Sequence, residues 1–152
     1  MNNFKKFTFK FIIIIIGVLA TVMILFPALV VENTDTAYTG VQIAFGHEFA
    51  NVGNLASGQI QFSILNVIAY LLPLLGSLIF LLMYKKSLFA AIIFGAAAIL
   101  LFFVPNFTVV TVTVLDTVNE ISVNWTYGLG LTVACLLSVL ASTLSFFEYF
   151  TH

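Results

Sequence analysis

Four stretches of the chain are almost continuously apolar: Phe11–Val31, Ser63–Tyr84, Ser87–Val104 and Gly128–Phe147, of 21, 22, 18 and 20 residues. A bilayer core of about 30 Å takes about 20 such residues as an α-helix, so each run predicts a membrane-spanning helix. Pro105 follows the third run at once, and Glu148 closes the fourth. Lys5, Lys6 and Lys10 precede the first run, as they would in a secretory signal. That run exceeds the roughly 7–15 residues of a signal's apolar core, and no small-x-small cleavage site follows Pro27. It reads as an uncleaved signal anchor.

The segments between the runs carry a different period. In the first outer loop, residues 32–62, apolar positions alternate at Val41, Ile43 and Phe45 and again at Ile60 and Phe62. Gly40, Gln42, Ala44, Gln59 and Gln61 lie between them, and period two predicts half-buried strand. The stretch from Gly46 through Gly53 to Gly58 has the composition of turns. In the second outer loop, residues 105–127, Phe107–Leu115 is rich in Val and Thr. Ile121, Val123, Trp125 and Tyr127 then alternate with Glu120, Ser122, Asn124 and Thr126, and residues 116–119 predict a hairpin turn. A lone hairpin is marginal in water, so the two loops are expected to pair into one sheet. The expected fold is therefore an all-α transmembrane four-helix bundle with a small extracytoplasmic β-sheet cap formed by the two outer loops. Residues 1–152 make a single four-span membrane domain.

Composition narrows the function classes. The 152 residues are 62% hydrophobic and only 7% charged, with a mean hydropathy of +1.18. A soluble domain carries about 25% charged residues, and a chain this size hides only about 68–70% of its unfolded surface. A soluble enzyme, a disordered tail and a nucleic-acid binder are all disfavoured. There is no Arg and heavy use of Phe, Ile, Asn and Lys, a usage that fits an AT-rich bacterial genome. All five Lys lie before the first run or in the Lys85-Lys86 link between the second and third. Glu32, Asp35, Glu48, Asp116 and Glu120 lie in the two other loops. By the positive-inside rule both termini are cytoplasmic in the cell membrane. Cys135 is the only cysteine, so no intramolecular disulfide can form, and it reads as a small buried hydrophobe.

No Asp, Glu, Lys, Arg or His lies inside the four runs, which argues against a pump, a voltage sensor or a proton-coupled transporter. The polar in-membrane residues are Asn66, Tyr70 and Pro73. Pro73 predicts a kink. Asn66 serves either as an interhelical clamp or as a polar site at the outer end of a cavity. Gly130, Ala134, Ser138 and Ser142 form a small-residue stripe for helix packing, matched by Ala91 and Gly95 in the third run and by Gly17 and Thr21 in the first. The stripe faces either the chain's own helices or another copy or subunit. Trp125 and Tyr127 are expected as interfacial anchors. His47 and Glu48 are adjacent donors without partners at metal-ligand spacing, and His47 and His152 fall on opposite sides of the membrane. The Asn-x-Thr patterns at Asn106 and Asn124 are short enough to arise by chance. No catalytic residue, metal or cofactor is expected.

The plan resembles that of claudin-like four-span proteins: cytoplasmic termini, a larger first outer loop, and strands feeding the outer helix ends. The claudin Trp-x-x-Trp followed by two cysteines has no counterpart between Glu32 and Gln61, so no functional residues carry over. Taken together, the residues point to a non-enzymatic structural or accessory subunit embedded in the lipid bilayer. It contacts itself, as a homo-oligomer, or a larger membrane complex. The alternative is a small transporter or channel for an uncharged or lipidic solute.

Overall fold

The structure is a computed structural model that describes residues 3–53, 55–82 and 87–151. In chain order these form helix α1 (Asn3–Val22), strands β1 (Pro27–Val31) and β2 (Ala37–Thr39), helix α2 (Gly40–Phe45) and strands β3 (His47–Asn51) and β4 (Ala56–Ile60). Helices α3 (Ile64–Leu82), α4 (Ser87–Phe102) and α5 (Val104–Phe107) follow. Strands β5 (Val110–Val114), β6 (Thr117–Ile121) and β7 (Trp125–Tyr127) lead into helix α6 (Leu129–Phe150). The expected all-α class with a small cap is overturned. The described residues form a mixed α/β fold of six helices and seven strands, the strands in two antiparallel sheets.

The first correction lies in the first apolar run, whose end is not helical. Pro27 lacks an N–H and pushes the residue before it out of the helical region, and Phe26 is extended at φ −98°, ψ 164°. A 3-10 turn over Met23–Leu25 closes the helix. Residues 27–31 become β1, the central strand of a sheet ordered β2-β1-β7. Its register sets Leu29 opposite Tyr38 on one side and Tyr127 on the other, with Val31 opposite Trp125. Apolar residues counted as lipid-facing thus hold the sheet core: Ala28 and Leu29 are fully buried.

The loop elements also differ from expectation. Val41, Ile43 and Phe45 lie in helix α2, not in a strand, because Thr39 and Gln42 form a capping box. Residues 47–51 and 56–60, expected partly as turns, are β3 and β4. With β5 and β6 they make a second sheet in the order β3-β4-β5-β6. The two loops do pair, through β4–β5, but there are two sheets, and in the other one the loop strands β2 and β7 both pair with β1 of the first apolar run.

Both sheets sit at one end of the helices, since they join the C-terminal ends of α1 and α4 to the N-terminal ends of α3 and α6. α1 packs on α3 and α6, and α4 packs on the same two helices. Near the sheets Tyr70, Leu101, Val104, Leu131 and Ala134 pack with Leu29 and Ile43; toward the other end Ile13, Phe80, Ala90, Phe94 and Ala141 form a second core. In this second core the buried Phe94 ring rests on two glycines. A Cβ on Gly17 would lie 2.7 Å from Phe94 Cε1, and one on Gly76 would lie 2.9 Å from it.

Three helical stretches are long and apolar enough to cross a membrane: Thr8–Leu25, α3 and α6. α4 is apolar but has only 16 residues, about 24 Å at 1.5 Å per residue.

Candidate functional site

The polar residues of α3 lie where that helix meets α2 and α5. Asn66 is fully buried. Its Nδ2 donates to Thr108 Oγ1 at 3.1 Å and, at 3.5 Å, to the Ile43 carbonyl, and the Thr108 hydroxyl donates to the Val104 carbonyl at 2.9 Å. Asn66 thereby ties three elements that are far apart in sequence. Tyr70, one turn on, is buried in the core nearer the sheets, and neither its Oη nor Asn66 Oδ1 has a hydrogen-bond partner. α3 continues as helix through Pro73. The Pro73 carbonyl, which accepts from Ser77 Oγ at 3.0 Å, is one of two carbonyls at that hydroxyl; the other is Ile14 of α1.

The stripe on α6 turns inward. Gly130, Ala134 and Ser138 are buried, and a Cβ on Gly130 would lie 2.8 Å from Phe26 Cβ. Ser142 is only partly buried and donates to the Ala91 carbonyl of α4 at 2.8 Å. Each i+4 step rotates about 40° on a 3.6-residue helix. Three such steps carry Ser142 to the edge of the buried face, which continues through Ala141 and Ser145. Gly95 lies close by: a Cβ there would meet Ser142 Oγ at 3.4 Å, an ordinary contact. Cys135 Sγ lies 3.5 Å from the Ala98 carbonyl, also on the α4 side. Outside this contact, an open apolar groove of about 760 Å³ runs between α4 and α6, lined by Ala91, Gly95, Ser142, Ile92, Phe146 and Phe150.

α6 also extends beyond the expected end of the fourth run. Glu148 is inside the helix and 2% exposed. Phe147 beside it meets the Phe9 ring of α1, centroids 6.5 Å apart. A buried carboxylate therefore lies at the helix ends away from the sheets, a feature missed by treating Glu148 as the boundary.

Trp125 and Tyr127 lie on β7, directly before α6. Trp125 is half-buried with its ring edge-on to Tyr38 at 6.0 Å. Tyr127 stacks on Phe102 and donates its hydroxyl to the Phe102 carbonyl at 2.6 Å, satisfying the end of α4. A shallow polar recess of about 500 Å³ opens nearby between Glu32, Asn106 and Asn124. His47 begins β3 and lies 6.0 Å from the Tyr38 ring. Among the described residues no three His, Cys, Asp or Glu side chains come together as a metal site would need.

The far tip of the four-stranded sheet is apolar and exposed. Val52, Leu55 and Leu115 are 61%, 61% and 69% exposed. They are held together because the Leu115 N–H donates to the Leu55 carbonyl at 3.1 Å and the Leu55 N–H to Val52 at 3.2 Å. Sequence reasoning missed this patch, because it placed Leu115 in the strand run and the hairpin turn at residues 116–119. No protein-family model, curated protein or solved structure matches the chain, so its function has to be argued from this geometry.

Proposed function

We propose that the chain is a four-span protein of the cell membrane. In this reading residues 1–10 and the 85–86 link are cytoplasmic, both termini lie on that side, and both sheets are outside. α4 is the shortest span, and hydrophobic mismatch of a few ångströms is met by local thinning of the bilayer at modest cost. Within the membrane it acts as a non-enzymatic structural or accessory subunit, its outer sheets making contacts with a larger assembly.

One observation carries this reading. The small-residue face of α6 is used up inside the chain, while the four-stranded sheet leaves β6 exposed along its whole length and an apolar tip uncovered. Surface for a partner is thus offered by the sheets and by the open groove between α4 and α6, not by the buried part of the stripe, and the polar seam at Asn66 is already bonded to Thr108. Native electrophoresis and affinity purification from mild detergent test the proposal. A defined complex retained through purification is expected, and a strictly monomeric, partner-free species contradicts it.

A second reading, a small transporter for an uncharged or lipidic solute, is favoured by one specific feature. Asn66 Oδ1 and Tyr70 Oη are buried one turn apart without hydrogen-bond partners. Uptake into liposomes that is abolished by Asn66→Leu would support it. Uptake indistinguishable from empty liposomes supports the accessory role.

A further inference from the structure

We infer that α2 is an interfacial helix: it lies in the outer lipid surface and presents Val41 and Phe45, with Phe62 beside them, to the acyl chains. This deepens the membrane-spanning reading and rests on it. The partner is the outer leaflet, and the element that meets it lies outside the four apolar runs.

α2 is tied to a helix end on each side. The Gly40 N–H donates to the Phe26 carbonyl at 3.2 Å, and a Cβ on Gly40 would lie 2.8 Å from the Ile24 carbonyl oxygen. α2 thus starts against the end of α1. At its other end the Ala44 carbonyl accepts from the Ser63 N–H at 3.1 Å and the Ile43 carbonyl from Asn66 at 3.5 Å, both at the start of α3. Its six residues cover about 9 Å at 1.5 Å per residue. That matches the spacing of packed helix axes, about 8–10 Å, and α1 and α3 do pack. α2 therefore crosses from one helix end to the other, at the level where α1 stops and α3 begins.

The bonding at its ends suits lipid. Water serves free backbone groups itself, whereas in hydrocarbon they must be satisfied within the protein. The capping box closes the Thr39 and Gln42 N–H groups, the Phe26 carbonyl takes that of Gly40, and the Ile43 and Ala44 carbonyls are taken from the start of α3. Gln42 carries the only polar side chain of α2, and its Oε1 is turned back onto the Thr39 N–H at 2.9 Å. Residues 37–46 and 61–65 include no Asp, Glu, Lys, Arg or His. The exposed face holds Val41 and Phe45, four residues apart. Phe62 lies close by, since a Cβ on Gly46 would lie 3.2 Å from the Phe62 nitrogen. Exposed apolar side chains of the spans flank this face on both sides: Leu25 and Phe26 at the end of α1, Ile64 and Leu65 at the start of α3. Lipid that covers those side chains reaches α2 at the same depth, so no further protein is needed to take Phe45 and Phe62 out of water.

The test uses the full chain in phosphatidylcholine vesicles, in a Trp125→Phe background with one tryptophan at a time. The positions are Phe45→Trp, Phe62→Trp, Ile15→Trp on the exposed side of α1, and Val52→Trp at the exposed far end of the four-stranded sheet. Phosphatidylcholine brominated on its acyl chains quenches a tryptophan that it touches, and acrylamide quenches one that water reaches. An interfacial helix buries its apolar face about 5–10 Å into the headgroup and acyl boundary, so brominated lipid should remove about half or more of the emission at Phe45→Trp and Phe62→Trp, as at Ile15→Trp, and less than about a tenth at Val52→Trp. Acrylamide should reverse that order. If acrylamide quenches Phe45→Trp and Phe62→Trp as strongly as Val52→Trp, and brominated lipid does not, the proposal is overturned, while quenching of Ile15→Trp by lipid keeps the spanning reading. Protection of both positions from both quenchers means that protein covers α2, which also overturns it. If brominated lipid leaves Ile15→Trp untouched as well, the spanning reading falls too. Phe45→Trp and Phe62→Trp are read separately, so a variant that fails to reconstitute leaves the other to decide.

Discussion

Gly17→Ala tests the seam where α1 and α3 meet the Phe94 ring of α4. Its new Cβ would lie 2.7 Å from Phe94 Cε1, against the hydroxyl of Ser77 as well. Carbon atoms rest at about 3.5–4.0 Å, so the ring or the helix must yield by about 1 Å. A gap of that size forfeits a quarter to a half of each dispersion contact it opens. Overpacking of this kind costs about 1–3 kcal/mol, and in lipid almost none of it is offset by apolar transfer, since acyl chains are as apolar as the core. Alanine also gains up to about 1 kcal/mol over glycine as a helix former, which must be subtracted. Gly95→Ala supplies the reference, with the same propensity gain and an ordinary 3.4 Å contact to Ser142 Oγ. Unfolding of the detergent-solubilised chain should place Gly17→Ala about 1–3 kcal/mol below Gly95→Ala. Gly76→Ala should behave like Gly17→Ala, because its Cβ meets the same ring at 2.9 Å. Phe94→Leu in the Gly17→Ala background should recover part of the loss, a non-additivity expected only between residues in contact. Equal stability of Gly17→Ala and Gly95→Ala, or strict additivity with Phe94→Leu, would refute the packing.

Two further predictions concern the stripe and the sheet contact. Ala134→Leu with Ser138→Leu inserts bulk at two fully buried positions of α6. The chain itself should lose thermal stability, by several kcal/mol or to the point of misfolding, while Leu137→Ala with Leu140→Ala costs much less; a normally folded variant that merely loses a partner would contradict the inward stripe. Tyr38 sits among Trp125, His47 and Phe49, and burial pushes its phenol above the ordinary 10.0. A group that holds its proton longer when folded stabilises fully below about pH 10 and loses that contribution as pH rises through the folded value. The thermal midpoint should fall as the pH rises above about 10, and less steeply in Tyr38→Phe; identical slopes would sink the assignment.

Much of the helical layer was legible because its signal is long. Ser63–Tyr84 and Gly128–Phe147 differ from α3 and α6 by a few residues, and the Val/Thr run before Leu115 is β5. The errors arose where length could not separate the periods. Val41, Ile43 and Phe45 fit a strand by alternation, but burial of Gly40, Ile43 and Ala44 follows helical spacing. The Thr39-x-x-Gln42 capping signature was the available clue. Val30 and Val31 were assigned to lipid because a central strand and a membrane helix are equally apolar, and only Pro27 distinguished them. The hairpin turn lies two residues earlier than expected because Leu115 takes positive φ, against its own propensity. The candidate site was less readable still. Asn66 was visible, but its partner Thr108 is 42 residues away, and such a pairing is a property of the packed chain. The 40° rotation per i+4 step shows that Gly130 and Ser142 cannot share one contact, but neither the inward turn of the α6 stripe nor the neighbour it meets could be read from spacing alone.

The most direct test of the account is the side of the membrane on which the sheets lie. In a Cys135→Ser background, single cysteines at Asp35 and Asp116, both exposed at the sheet end, and at exposed Thr151, at the opposite end, are treated with an impermeant thiol reagent. In intact cells Asp35→Cys and Asp116→Cys should label, and Thr151→Cys should label only after permeabilisation. Labelling of Thr151→Cys in intact cells with protection of the other two would invert the protein in the membrane. Labelling of all three without permeabilisation would contradict a membrane-spanning arrangement altogether.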